Sequence, residues 1–155
     1  IIAEVFGYGF SSNGDHIANP NVNGPVQSIR MCLQDAGMRP SDIQYINAHA
    51  TSTIIGDSSE ARAIYQVFGE KTLPISSTKS MTGHEMWAAG ATETVYSLLM
   101  MQNDFIAPNV NFEHPDDDSQ HLWIPTKCIE KKLNIFLNNS FGFGGTNSTL
   151  IIGKI

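Results

Sequence analysis

Residues 43–78 read IQYINAHATSTIIGDSSEARAIYQVFGEKTLPISST, and this stretch decides the fold. Ile43 to His49 is a short, apolar, β-rich run that predicts a strand. Asp57 is expected to cap a helix, with Glu60 three residues on as its capping-box partner. Ala61, Ile64, Tyr65 and Phe68 then follow the i, i+3, i+4, i+7 rule, which gives that helix one buried stripe. Gly69 is the stop, and Leu73 to Thr78 is the next strand. A strand, a helix and a strand in this order form the unit of a parallel sheet.

The same alternation continues outward. Ile1 to Phe10 predicts a strand that ends in the turn cluster Ser11-Ser12-Asn13-Gly14. A helix is expected from Asn23-Gly24-Pro25, with Val26, Ile29, Leu33 and Ala36 at helical spacing and Gly37 as its stop. Cys32 falls on its core side, and Met38 to Asp42 is a connector. Downstream, Met86 to Met101 is apolar almost all round, so that helix is expected to be buried on every side against a second layer or a partner chain. Its Ala- and Gly-rich first turns allow close approach. Leu122 to Pro125, Leu133 to Asn138 and Ser148 to Ile152 predict strands, the last two joined as a hairpin around a Gly-rich loop. The expected class is α/β, with a mixed, mostly parallel sheet flanked by helices. No repeat or linker divides residues 1–155, so one domain is expected.

Composition removes several function classes. The 155 residues are 41% hydrophobic and only 15% charged, which excludes a disordered chain and implies surface meant for burial. A formal net charge of −6 is a poor match for a nucleic-acid backbone. Glu113 to Asp118 holds four carboxylates in six residues, a solvated loop that includes His114, with His121 close by. His16 is likewise expected in a solvated turn. Two cysteines, Cys32 and Cys128, make no disulfide framework and point to a reducing, cytoplasmic setting. No apolar run approaches the roughly 20 residues of a membrane span. Ile1 opens directly into a strand-like run, so the natural start is expected to lie upstream.

Three loops follow three strands: His49 to Thr53, Lys79 to His84, and Asn139 to Asn147. In open α/β sheets, ligands bind beyond the carboxyl ends of strands. Taken alone, His49 or His84 reads as structural. Two of them, each directly beyond a strand and ringed by hydroxyls, read as a site. No third ligand for a metal is evident beside them. Lys79 is either a surface lysine or a buried cation, and in the second case Glu93 is its natural partner in an otherwise apolar helix. The Phe141-Gly142-Phe143-Gly144-Gly145 loop is either a tight connection or a backbone donor to an oxyanion.

These residues resemble three motifs of the β-ketoacyl-acyl carrier protein synthases. Asn47-Ala48-His49-Ala50-Thr51-Ser52-Thr53 is similar to N-x-H-G-T-S-T. Lys79 to His84 is similar to K-x-x-x-G-H, and Asn139 to Asn147 to N-S-F-G-F-G-G-T-N. The match runs from about residue 1 to 155, in order and register, and is to the C-terminal half of the elongating type, a thiolase-like fold of two similar α/β halves.

The resemblance implies a decarboxylative Claisen condensation between malonyl-acyl carrier protein and an acyl thioester held on a cysteine. His49 and His84 would stabilise the enolate. Lys79 would support the second histidine and pair with Glu93. Phe143 would gate the site and donate its N–H to an oxyanion. Thr51, Thr53, Phe141 and Gly142 would hold the substrate on its phosphopantetheine arm. No dissociable cofactor is implied beyond that arm, although some members hold a monovalent cation near Asn47, Ala48, Glu93, Asn138 and Asn139. The partners implied are the carrier protein, an N-terminal half carrying the nucleophile, and a second copy in a homodimer. Neither Cys32 nor Cys128 has the setting of that nucleophile, so this piece alone is expected to be inactive.

Two departures stand out. Ala50 replaces a glycine, a mild change if φ there is negative. Glu85-Met86-Trp87-Ala88-Ala89-Gly90 replaces S-x-G-A-A-G, so Trp87 either reshapes the acyl channel or packs into the core or a dimer contact. Two alternatives stay open: a non-catalytic partner subunit like the chain-length factors, and a ketosynthase of a polyketide or aryl-polyene pathway.

Overall fold

The computed structural model describes residues 1–17 and 20–155. The strands are β1 (Glu4–Ser12), β2 (Ile46–Asn47), β3 (Ile75–Ser76), β4 (Phe105–Ile106), β5 (Ile129–Glu130), β6 (Ile135–Gly142) and β7 (Thr146–Gly153). The helices are α1 (Asn23–Ala36), α2 (Ile54–Phe68), α3 (Lys79–Thr82) and α4 (Ala89–Gln102). Five strands form one sheet in the order β1-β7-β6-β2-β3, and β4 and β5 form a separate pair. β2 pairs in parallel with β3 and with β6, while β7 runs antiparallel to both β1 and β6. Four of the five strands therefore point the same way, and the sheet is mixed and mostly parallel as expected.

Helices cover both faces. On one, Ile29, Cys32 and Leu33 of α1 and Ala61, Ile64 and Phe68 of α2 pack on Ile46, Leu137 and Ile151. On the other, Met100 and Met101 of α4 pack on Tyr45, Phe136 and Ile152. α1 ends as its sequence requires: Gly37 is left-handed at φ 63°, and Met38 N–H donates to the Leu33 carbonyl. Gly90 lets α4 lie close to the sheet, because a Cβ there would come within 2.6 Å of Ser140 Oγ.

Several expectations need correction. α2 starts at Ile54, so Asp57 lies inside its first turn, where its carboxylate accepts the Ser52 N–H at 3.1 Å. Glu60 forms no capping box. It falls on the buried stripe with Ile64 and Phe68, one helical turn apart each. Tyr65 is instead half exposed, its ring 5.4 Å from that of His121. Residues 122–125 form no strand; Trp123 makes a single parallel bridge to Pro74. The closing hairpin is longer than expected. Its ladder runs from Ile135–Gly153 to Gly142–Thr146 and leaves only Phe143 to Gly145 as the turn.

α4 is the largest correction. Ala89, Glu93, Ser97, Met100 and Met101 face the sheet, but Val95 and Leu99 are 52% and 48% exposed on the opposite side. Val5, Tyr8 and Phe10 of β1 are also exposed. Burying one such side chain is worth about 1.5–3 kcal/mol, so these surfaces favour association. The isolated chain is expected to self-associate at micromolar concentration in sedimentation velocity; a single monomeric species throughout would contradict this. No helix of the described residues is long and apolar enough to cross a membrane.

Candidate active site

His49 stands just beyond β2, and Glu60 fixes the chain there. The Glu60 carboxylate accepts His49 N–H at 2.9 Å, Ala50 N–H at 2.7 Å and the Asn139 side-chain amide at 3.0 Å. Burial pushes its pKa above the usual carboxylate range, with these three donors opposing. Sequence reasoning gave Glu60 another role. The available signal was its register with Ile64 and Phe68, because a carboxylate on a buried stripe must find partners. Ala50 is not among the residues with positive φ, so its Cβ is tolerated.

Lys79 opens α3 and is buried, paired with the equally buried Glu93 of α4. Its ammonium also lies 3.4 Å from His49 Nδ1. Lys79 therefore supports the first histidine, where the resemblance implied the second. An ammonium has no acceptor, so Nδ1 accepts and the imidazole carries its proton on Nε2. His84 reaches the same tautomer independently, since its Nδ1 accepts Met86 N–H at 3.0 Å. The two rings meet edge to face with centroids 5.5 Å apart. Two Nε2–H donors thus belong to one site, an arrangement suited to a developing oxyanion.

Burial lowers the His49 pKa to about 3, with Lys79 and then His84 adding to the effect. His49 is accordingly neutral at physiological pH. Its folded pKa lies below the ordinary value of about 6.5. The stability it contributes is present above that value and is lost as pH falls towards 3. His49 ring resonances are expected to hold constant from pH 8 to pH 5 in an NMR titration; a midpoint near 6.5 would refute this.

The remaining candidates surround this pair. Thr51 and Thr53 lie on the loop into α2 with hydroxyls 3.1 Å apart. The Phe141 ring lies 6.0 Å from the His49 ring, so Phe141, next to Gly142, is the aromatic neighbour of the site. Phe143 is 78% exposed at the turn. That turn is held to the segment after β1: Asn13 N–H donates to the Gly145 carbonyl, and Gly144 N–H to that of Ile17. Gly145 has φ +79°, and a Cβ there would fall 1.8 Å from the Asn13 carbonyl oxygen. Trp87 is fully exposed, so it does not pack into the core of this chain.

Asn47 is enclosed by Thr78, Ser97 and the Glu93 carbonyl, next to buried Ala48. Asn139 Oδ1 accepts the Thr149 hydroxyl. Glu93 Oε2 and Asn138 Oδ1 are buried without a hydrogen-bond partner. Cys32 is buried in α1, and burial, then Asp35, pushes its thiol up to about 12, the opposite of an activated nucleophile. Cys128 is exposed, as are His16 and His114.

The sequence pattern described as "Beta-ketoacyl synthase, C-terminal domain" matches residues 2–113. The whole chain is 44% identical to 3-oxoacyl-[acyl-carrier-protein] synthase 1 of Escherichia coli (strain K12), over 37% of that protein. It is 43% identical to 3-oxoacyl-[acyl-carrier-protein] synthase 2 of Coxiella burnetii, over 38% of its length. All of it superposes on 38% of a chain of the ishigamide ketosynthase/chain length factor, with TM-score 0.95 and 37% identity. The chain thus spans little more than a third of the length of these proteins.

Proposed function

The chain belongs to the beta-ketoacyl synthase family, and on that premise we propose that it supplies the decarboxylating half of a β-ketoacyl-acyl carrier protein synthase in fatty acid biosynthesis. The observation that carries this reading is the pair of imidazoles 5.5 Å apart, each with Nδ1 occupied by a donor. As the carboxylate of a malonyl thioester leaves as CO2, the electrons of the broken C–C bond pass into the thioester carbonyl. His49 and His84 donate Nε2–H to the resulting enolate oxygen. The enolate carbon then attacks an acyl thioester formed on a cysteine outside this chain and displaces its thiolate. Neutral imidazoles suit this role, because they stabilise the oxyanion without delivering a full proton to it.

The other assignments follow from the same reading. Thr51 and Thr53 hold the phosphopantetheine arm of the carrier protein. Phe141 and Gly142 contact substrate, and Phe143, exposed on its turn, gates entry and offers its N–H to the acyl oxyanion. Trp87, fully exposed, either reshapes the acyl channel or packs in the dimer contact. Residues 1–155 act as one C-terminal domain, and the bare faces of α4 and β1 meet an N-terminal half and a second copy in a cytoplasmic homodimer. No dissociable cofactor takes part. A structural monovalent cation near Asn47, Ala48, Glu93, Asn138 and Asn139 belongs to the same reading, and the support for it is that Glu93 Oε2 and Asn138 Oδ1 are each buried without a hydrogen-bond partner.

A non-catalytic role like that of a chain-length factor is the second reading, prompted by the likeness to a ketosynthase/chain length factor pair. The intact set of His49, Lys79, His84 and Glu93 favours catalysis, whether in fatty acid or polyketide synthesis. The test is CO2 release from malonyl-carrier protein by the complete enzyme with its nucleophilic thiol alkylated. Release without condensation is expected. No release, with the carrier protein still bound, would overturn the proposal.

A further inference from the structure

Glu85 has no part in the chemistry above, yet its side chain reaches across the turn that carries His84. Its Oε1 accepts the Tyr96 hydroxyl of α4 at 3.4 Å. Burial pushes the Glu85 carboxyl up, but the Thr82 hydroxyl, its own N–H, the Lys79 ammonium and Tyr96 outweigh it and hold the group below its ordinary range. Its Oε2 is buried without a partner. An unmatched buried carboxylate oxygen is unfavourable. With His84 and Met86 exposed on either side, water is within reach of a glutamate at this position. The side chain folds inward nonetheless.

The turn it spans needs holding. Gly83 and Met86 have φ of +77° and +53°, and the left-handed region is disfavoured for a methionine. That same conformation aims Met86 N–H at His84 Nδ1. Glu85 belongs to the turn and Tyr96 lies two turns into α4, so their hydrogen bond ties the loop to the helix beneath it.

We propose that Glu85 is a positioning residue for His84, a strap between the 82–86 turn and α4 that keeps Met86 N–H on Nδ1 and the imidazole proton on Nε2. The inference rests on the reading of His84 as an Nε2–H donor. Freed of the strap, the imidazole exchanges between its two neutral tautomers, and only one of them donates from Nε2.

The test is the tautomer itself. In the 15N-labelled chain at pH 8, long-range 1H–15N correlation is expected to show one protonated Nε2 and one unprotonated Nδ1 for His84, with widely separated shifts. In Glu85→Ala the two shifts are expected to move towards each other. In Glu85→Gln they stay apart, because the amide oxygen still accepts from Tyr96. Tyr96→Phe removes one hydroxyl and is expected to move them in the same direction as Glu85→Ala; it decides the matter if Glu85→Ala does not fold. Wild-type His84 shifts in Tyr96→Phe, and in Glu85→Ala where that variant folds, would overturn the proposal. No substrate enters the measurement, so its failure is separate from failure of the condensation reading, which CO2 release reports.

Discussion

His84→Ala in the complete enzyme is expected to lower CO2 release from malonyl-carrier protein by about 10²–10³-fold, the usual consequence of removing one oxyanion donor. The argument rests on where charge develops. His84 meets the developing enolate through Nε2–H, because Nδ1 is already occupied by Met86 N–H. Acylation of the nucleophilic cysteine builds charge on a different carbonyl, so it is expected to fall far less. His49→Ala is expected to resemble His84→Ala in decarboxylation, and the double variant to lose little more than either single one if the pair acts as a unit. An equal fall in acylation and decarboxylation would remove the enolate role assigned to His84.

Much of this was legible in the sequence because the strong signals are local. The α1 start and its Gly37 stop, the helical spacing of Ile64 and Phe68, and the hairpin around Phe143 to Gly145 each depend on neighbours within a turn or two. Family motifs supplied His49, Lys79 and His84 in register. What escaped were features set by contacts distant in sequence. Glu60 looked like a capping residue because Asp57 stands three positions before it, yet its partners come from the loop after β2 and from Asn139, 79 positions away. The contact between Lys79 and His49 also went unread, since sequence order says nothing about which ring an ammonium meets in space. β2 and β3 are shorter than their apolar runs because only two residue pairs, Ile46 with Ile75 and Asn47 with Ser76, form the ladder between them, and pairing is set by the partner strand rather than by apolarity. The outward face of α4 read as buried because composition records apolarity without saying which surface covers it.

Lys79→Met is expected to destabilise the chain by about 3–5 kcal/mol at pH 8, because it leaves the Glu93 carboxylate buried and unpaired. The loss should depend on pH, and its sign follows from Glu93. Burial raises the Glu93 pKa to about 7; Lys79 lowers it, while Glu85 and Glu60 add to the rise. Folded Glu93 thus holds its proton more tightly than the unfolded chain, whose carboxyl titrates near 4.3. Stability from that proton is fully present below about 4.3 and is lost as pH rises through about 7. Removing Lys79 deletes the main influence opposing the rise, so in the variant the loss continues to higher pH. The gap in urea-unfolding free energy between wild type and Lys79→Met is therefore expected to be smaller at pH 5, where Glu93 is protonated in both, and to widen by up to about 1.4 kcal/mol between pH 7 and pH 8. Lys79→Met/Glu93→Gln is expected to recover most of the gap at pH 8, since it carries no buried charge there. A constant gap from pH 5 to 8, or no recovery in the double variant, would show that Lys79 stabilises through packing of its stem and not through the ion pair. The same substitution removes the donor at His49 Nδ1. Decarboxylation is therefore expected to fall even at pH 5, where folding is least affected, which separates the catalytic effect of Lys79 from its structural one.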